Sequence, residues 1–92
     1  MIIGWAPTAL RDLESLHEYM AEDNPPAAAA TVERILSGIE ALSRHPDMGH
    51  KGRVPDTREL IISPYIVLYR TKATALDLFA IIHSARRWPD SF

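Results

Sequence analysis

The sequence predicts an α+β fold in which a helical hairpin packs on a small antiparallel sheet, in the order β-α-α-β-β-β. Apolar residues recur at three- and four-residue steps through the first half of the chain. Three runs rich in Val, Ile, Leu, Tyr and Phe fill the second half, separated by short turn segments. Ninety-two residues can build one hydrophobic core but not two, so we expect a single domain over residues 1–92.

A short strand and a helix open the chain. Residues 1–5 are apolar and stop before Pro7, which suits an edge strand followed by a helix with proline in its first turn. We place this helix at residues 7–22. Its predicted apolar stripe comprises Leu10, Leu13, Leu16, His17 and Met20.

The second helix follows after a very short link. Asn24 is a good N-cap and Pro25 a good first helical residue, and the helix runs to Arg44, where His45-Pro46 stops it. Helices joined so closely are antiparallel neighbours. The predicted apolar stripe of this helix comprises Ala28, Val32, Ile35, Leu36, Ile39 and Leu42.

The second half reads as a loop and three strands. Residues 46–56 contain two glycines and two prolines without periodicity, which indicates a loop. Strands are predicted at 58–63, 65–71 and 76–84, and their short connections favour antiparallel hairpins. The alternation of apolar and polar residues is imperfect in these strands, so we expect contacts on both faces of the sheet. The helical hairpin can cover one face only, which leaves part of the other for a ligand or a second chain.

Composition excludes several classes of protein. Without cysteine there is no disulfide framework, thiolate nucleophile or cysteine-type zinc site. No stretch is long and apolar enough for a membrane span, and the N-terminus does not resemble a secretory signal, so we expect a soluble cytoplasmic protein with no membrane partner.

The net charge of −2 hides a division between the halves of the chain. Residues 1–43 carry two basic and seven acidic side chains, a net charge of −5, whereas residues 44–92 carry eight basic and five acidic ones, a net charge of +3. The acidic helical half and the basic sheet half are therefore suited to different partners.

No residue pattern indicates a metal or a cofactor. His17, His45, His50 and His83 lack the spacing of metal ligands, and no glycine-rich phosphate loop is present. We therefore expect the protein to work without a metal ion or cofactor.

Two basic segments are candidates for chemistry. The first is a rim that could contact phosphates, although interleaved Asp47 and Asp56 favour an ordinary solvated loop. It consists of His45, His50, Lys51, Arg53 and Arg58. The second is the C-terminal group of His83, Arg86 and Arg87, which could support acid–base work on a phosphodiester. Packing of His83 and Trp88 at the strand end is the interpretation that the residues alone favour.

Aromatic residues elsewhere lie within apolar runs. This position favours a role in the core or in the lining of a groove over a platform for stacking bases. The residues are Trp5, Tyr65, Tyr69 and Phe79.

Taken in order, several segments resemble the ParE/RelE superfamily of type II toxin-antitoxin toxins. No single segment is specific, but together they extend over nearly the whole chain. The segments are Trp5-Ala6-Pro7-Thr8-Ala9, Asp12-Leu13, Asn24-Pro25-Pro26-Ala27-Ala28, Pro46 with Gly49, Arg53, Thr57-Arg58-Glu59-Leu60, Tyr65-Ile66-Val67-Leu68-Tyr69-Arg70 and Ile82-His83-Ser84-Ala85-Arg86-Arg87-Trp88-Pro89. The resemblance implies the same helical hairpin on a small sheet.

The superfamily contains two mechanisms. RelE-like members are ribosome-dependent mRNA endoribonucleases that need no metal, and the resemblance would assign Arg58, His83 and Arg86 to catalysis, with Lys51 and Arg53 on the RNA backbone. ParE-like members poison DNA gyrase and lack that set. Here Trp88 stands where a nuclease would carry Tyr, and the chain is less basic than a ribosome-binding nuclease. The ending favours the ParE-like branch, which is not an enzyme.

The resemblance also implies partners. A cognate antitoxin, ParD-like or RelB-like, would neutralise the toxin in a hetero-oligomer and connect it indirectly to operator DNA, in a plasmid-stabilisation system. A non-toxic antitoxin-binding co-repressor module is an alternative. Candidate contact residues for the antitoxin or target are Lys51, Arg53, Arg58, Tyr65, Tyr69, Arg70, His83, Arg86, Arg87 and Trp88.

Overall fold

The structure is a computed structural model that describes residues 1–85. The predicted α+β fold is confirmed, and every predicted helix and strand begins and ends within one residue of the observed element. The elements are β1 (Ile2–Trp5), α1 (Pro7–Asp23), α2 (Pro25–Arg44), β2 (His50–Lys51), β3 (Arg58–Ile62), β4 (Tyr65–Lys72) and β5 (Ala75–His83).

The five strands form one mixed sheet in the order β1-β5-β4-β3-β2. The strands β2, β3, β4 and β5 pair antiparallel, but β1 runs parallel to β5. The prediction of a purely antiparallel sheet is therefore wrong for β1. Its sheet neighbour is the last strand rather than the next one, so no tight hairpin forces an antiparallel pairing.

The predicted loop over residues 46–56 contains the short strand β2. His50 lies opposite Glu59 and Lys51 opposite Arg58. The sequence does not indicate this strand, because two charged or polar residues between Gly49 and Gly52 show no strand periodicity.

Local signals fix the ends of the helices. Each helix has proline in its first turn, and the Asn24 side chain caps α2 by accepting a hydrogen bond from the Ala27 N–H at 3.1 Å. Arg34 on α2 donates to the carbonyl oxygen of Ser63 at 2.6 Å, which fastens the helix to the β3–β4 turn. Within residues 1–85, neither helix combines the length and apolar character that crossing a bilayer requires.

The main core lies between the helices and one face of the sheet. Its buried members are Ala9, Leu16, Ile35, Ile39, Leu42, Leu60, Val67, Tyr69, Leu76, Leu78 and Ile81. The predicted stripes are correct only in part. Leu10 and Leu36 are 47% and 42% exposed and His17 is also exposed, because Ala9, Leu16 and Ile35 occupy the faces that meet the sheet.

A second apolar cluster lies on the opposite face of the sheet. Leu68, Ala80 and Ile82 are buried there, with Phe79 packed against them. The pairing of β4 with β5 shifts between Leu68 and Tyr69, where β5 carries an extra residue. Apolar residues on both faces explain why the alternation in the sequence is imperfect.

Candidate functional site

A groove of about 650 Å³ opens between α1 and the C-terminal end of β5. The helix contributes residues at a spacing of three and four, which places them on one helical face. The lining consists of Asp12, Ser15, Leu16, Tyr19, Tyr65, Ile81, His83 and Ala85. The lining combines the buried apolar side chains of Leu16 and Ile81 with aromatic and polar side chains, a composition suited to binding side chains of another molecule.

Tyr65 and His83 form the aromatic wall of this groove. They are directly opposite in the pairing of β4 with β5, and their rings meet edge to face with centroids 5.3 Å apart. The Tyr65 hydroxyl has only the Met20 sulfur within hydrogen-bonding range, at 3.8 Å, among the contacts of the described chain. On the helix side Tyr19 is 77% exposed. The groove thus offers aromatic surface that residues 1–85 leave uncovered.

Hydrogen bonds fix the polar groups of the groove. The Ala85 N–H donates to His83 Nδ1 at 3.1 Å, so this nitrogen carries a lone pair and a neutral ring carries its proton on Nε2. Asp12 accepts a hydrogen bond from the Ile81 N–H at 3.0 Å, which holds α1 against β5. Within residues 1–85, no lysine or arginine is among the side chains that line the groove.

The other end of the same sheet face carries a buried tyrosine that holds the loop before β3. Tyr69 has no exposed surface, and its hydroxyl donates to the Pro46 carbonyl at 2.7 Å and accepts from the Gly49 N–H at 3.0 Å. The expectation that Tyr69 contacts a partner is therefore corrected. It is a core residue, as its position in an apolar run also suggested.

Burial raises the pKa of the Tyr69 hydroxyl above its ordinary value. The Gly49 N–H and the Arg58 guanidinium oppose this effect because both favour the phenolate, and nearby Asp47 adds to the rise. The hydroxyl is consequently a protonated structural group at neutral pH.

Glu59 is a second buried anchor for the loop and was not among the predicted site residues. Its side chain is only 3% exposed and accepts from the Arg53 backbone N–H at 2.8 Å and from Arg53 Nε at 3.3 Å. His50 Nε2 lies 3.4 Å from the same carboxylate. Arg53 and His50 thus hold a buried charge in place, as buried carboxylates require.

The remaining basic candidates of the sheet lie apart from the groove. Arg58 donates to the Gly49 carbonyl oxygen, and Lys51 is exposed opposite it. Arg70 lies 3.7 Å from Asp77 and stacks over Phe79, with its guanidinium carbon 5.1 Å from the ring centroid. Arg58 therefore holds the loop at Gly49, and Arg70 packs on its neighbours in β5.

Arg58 and His83, two of the predicted nuclease residues, lie apart in the structure. Arg58 pairs with Tyr69 of β4 and His83 pairs with Tyr65, so four residues of β4, about 13 Å, separate them along the strand. Two strand spacings add about 10 Å across the sheet. Arg86, Arg87 and Trp88 lie outside the described residues.

The predicted site residues include none of the groove residues of α1, and they do not include Glu59. Asp12, Ser15 and Tyr19 follow one another at steps of three and four along α1, which was a usable signal for a shared helical face. Nothing in the sequence showed that this face meets the end of β5. Glu59 gave no signal, because its partners come from a loop whose path depends on the tertiary fold.

Comparison with known proteins gives concordant results. Residues 3–88 match the family model described as the ParE toxin of the type II toxin-antitoxin system parDE. A Sinorhizobium fredii protein with a provisional toxin name, Y4kP, is 37% identical over 95% of this chain and 92% of its own length. Toxin RelE3 of Caulobacter vibrioides is 34% identical over 88% of this chain and 91% of its own.

A solved structure has the same fold. It is described as the chromosomal ParDE toxin-antitoxin system from P. aeruginosa, and one of its chains superposes with a TM-score of 0.80. The match covers 90% of this chain and 95% of that one at 22% sequence identity.

Proposed function

The chain belongs to the ParE/RelE superfamily of type II toxin-antitoxin toxins, and we propose that it is a ParE-like toxin that arrests growth by poisoning DNA gyrase. In this proposal a cognate antitoxin binds the toxin directly and neutralises it. Both act in the cytoplasm and stabilise the plasmid or other replicon that carries their genes.

The observation that carries the proposal is the separation of Arg58 from His83. A phosphodiester cleavage needs its base and its charge-stabilising group within a few ångströms of the same phosphate. Here Arg58 on β3 and His83 on β5 pair with β4 residues four positions apart, and Arg58 donates to a backbone carbonyl. This arrangement favours a toxin that acts by contact with a protein.

The groove beside α1 is the surface that we assign to the antitoxin. Tyr19, Tyr65 and His83 supply aromatic area and one ring N–H, while Leu16 and Ile81 form an apolar floor. Aromatic side chains in partly desolvated pockets are typical energetic centres of protein interfaces. Lys51, Arg53, Arg58 and Arg70 are then peripheral to this contact.

One finding favours a different activity. The Caulobacter relative is named Toxin RelE3, and the family resemblance implies ribosome-dependent nuclease activity for RelE-like members. The first alternative to the gyrase proposal is that the chain is a metal-independent mRNA endoribonuclease. The second alternative is a non-toxic co-repressor that only holds its antitoxin on operator DNA.

A paired assay separates these functions. Purified toxin is added to gyrase with plasmid DNA and ATP, and in parallel to a translating extract, with toxin premixed with antitoxin as the control. With toxin alone we expect gyrase to accumulate cleaved, linear plasmid DNA, and this product should be absent when the toxin is premixed with antitoxin. In the translating extract we expect the messenger RNA to stay intact. Messenger cuts in phase with codons that disappear in Arg58→Ala would contradict the gyrase proposal and support the nuclease. Unaffected growth on expression of the toxin alone would support the co-repressor.

A further inference from the structure

A second groove of about 270 Å³ lies between α1 and α2 where Glu14, His17 and Glu18 are exposed, and we call it the outer groove. Its lining includes the half-buried Leu13 and Val32 as an apolar floor, with Glu14, His17 and Glu18 along the α1 side. This groove shares no residue with the groove assigned to the antitoxin.

Two exposed leucines extend the apolar floor. Leu10 precedes Leu13 by three residues on α1, and Leu36 follows Val32 by four on α2, so each continues its helical row. Their side chains are 47% and 42% exposed. Both were predicted to lie in the core, and the structure instead leaves them on the face turned away from the sheet. The hairpin therefore has an apolar strip that the described part of the chain does not cover.

The negative charge beside the apolar strip indicates which kind of molecule can bind there. Glu14 and Glu18 follow one edge at a spacing of four, and neither has an ion pair among the described contacts. A second copy of this chain would bring its own acidic edge against them, and nucleic acid or an anionic membrane would be repelled as well. An apolar strip between two helices accepts a third helix.

We propose that the outer groove binds an amphipathic helix of another protein, with aliphatic residues on one face and Lys or Arg beside that face. The aliphatic side chains pack on Leu13, Val32, Leu10 and Leu36, while the cations pair with Glu14 and Glu18. The proposal does not depend on whether the toxin acts on gyrase.

The test uses the full chain and two synthetic peptides of about 18 residues, long enough for a helix in the bound state. Both carry Leu at positions i, i+3, i+4 and i+7, and they differ only in having Lys or Glu beside this face. We expect the Lys peptide to bind about tenfold more tightly at low salt, with the preference shrinking as salt is raised. Backbone amide shifts in NMR spectra should concentrate at Leu13, Glu18 and Val32.

Surface variants locate the contact. Leu10→Ser with Leu36→Ser should weaken binding of the Lys peptide about tenfold without unfolding the protein, because both side chains are exposed. The matched control is Ile61→Ser, which changes a 60% exposed residue on β3 and should leave affinity unchanged. Equal affinity for the two peptides, unchanged binding by the double variant, or amide shifts centred on Tyr65 and His83 would each overturn the proposal.

Discussion

The two ends of the helix-facing side of the sheet use similar residues in opposite ways. At the β2 end, the Tyr69 hydroxyl and the Arg58 guanidinium turn inward and hold Pro46 and Gly49. At the β5 end, Tyr65 and His83 contact each other and line an open groove. A tyrosine beside a basic residue is structural where both side chains hydrogen-bond the backbone of a loop, as at the β2 end. Where the tyrosine makes no such bond, as at the β5 end, its ring is available for binding.

The largest effect on stability is expected at Gly49, where the loop lies against residues of β3 and β4. A Cβ there would lie 2.6 Å from the Tyr69 hydroxyl and 2.8 Å from the Glu59 carbonyl oxygen. Gly49→Ala should lower the free energy of unfolding by about 3 kcal/mol, measured by urea denaturation. The control is Gly4→Ala. Its new Cβ would lie 3.2 Å from the Asp77 carboxylate, a side chain that can move aside. Equal costs for the two variants would show that the loop yields easily.

The Tyr69 hydroxyl is expected to have the next largest effect. Tyr69→Phe leaves the buried Gly49 N–H without its acceptor and should cost about 2 kcal/mol in urea denaturation. The control Tyr65→Phe removes a hydroxyl whose described contact is a sulfur 3.8 Å away, and should cost less than about 0.5 kcal/mol. Similar losses of stability at Tyr69 and Tyr65 would contradict the different roles assigned to the two ends of the sheet.

Glu59 should contribute less, because its partners remain partly exposed. Glu59→Gln keeps an acceptor for the Arg53 N–H but removes the charge that faces Arg53 and His50, so we expect a loss of about 1 kcal/mol. The control Glu40→Gln breaks an exposed pair with Arg44 and should change stability by less than about 0.5 kcal/mol. A neutral Glu59→Gln would mean that the buried carboxylate does not hold the loop.

The smallest effect appears only in alkaline solution. Burial raises the pKa of Tyr69 in the folded state, so above pH 10 the unfolded chain releases this proton first. Stability that is fully present below pH 10 should then fall as the pH rises through the folded-state pKa. The Tyr69→Phe variant should lack this part of the alkaline loss, as measured by thermal unfolding across pH. Identical alkaline profiles would contradict burial as the dominant cause.

Much of the fold was predictable because local signals are strong. Pro7, Asn24-Pro25 and His45-Pro46 mark the helix ends through backbone geometry alone, and Ser63-Pro64 separates two strands. The parallel pairing of β1 was not predictable, because it joins the first strand to the last. Leu10 and Leu36 were misplaced because helical periodicity identifies apolar positions without showing which of two neighbouring faces meets the sheet.

The functional surface was predictable only in part. His83 was a candidate from its place at a strand end and Tyr65 as an aromatic residue within an apolar run, and the structure brings them together in one groove. Their neighbours Asp12, Ser15 and Tyr19 come from α1, near the other end of the chain, and only the tertiary fold shows the contact. The basic residues looked alike in the sequence, since a cation that holds a loop and a cation that binds a ligand have the same local signature.

The different roles of the two ends are tested most directly by measuring how tightly two variants bind the cognate antitoxin. Each variant changes one exposed side chain. Tyr19→Ala alters the groove and Lys51→Ala alters the β2 end, and neither side chain is part of the core. We expect Tyr19→Ala to raise the Kd about tenfold or more, and Lys51→Ala to change it less than about twofold. A large loss for Lys51→Ala together with unchanged binding by Tyr19→Ala would contradict these roles.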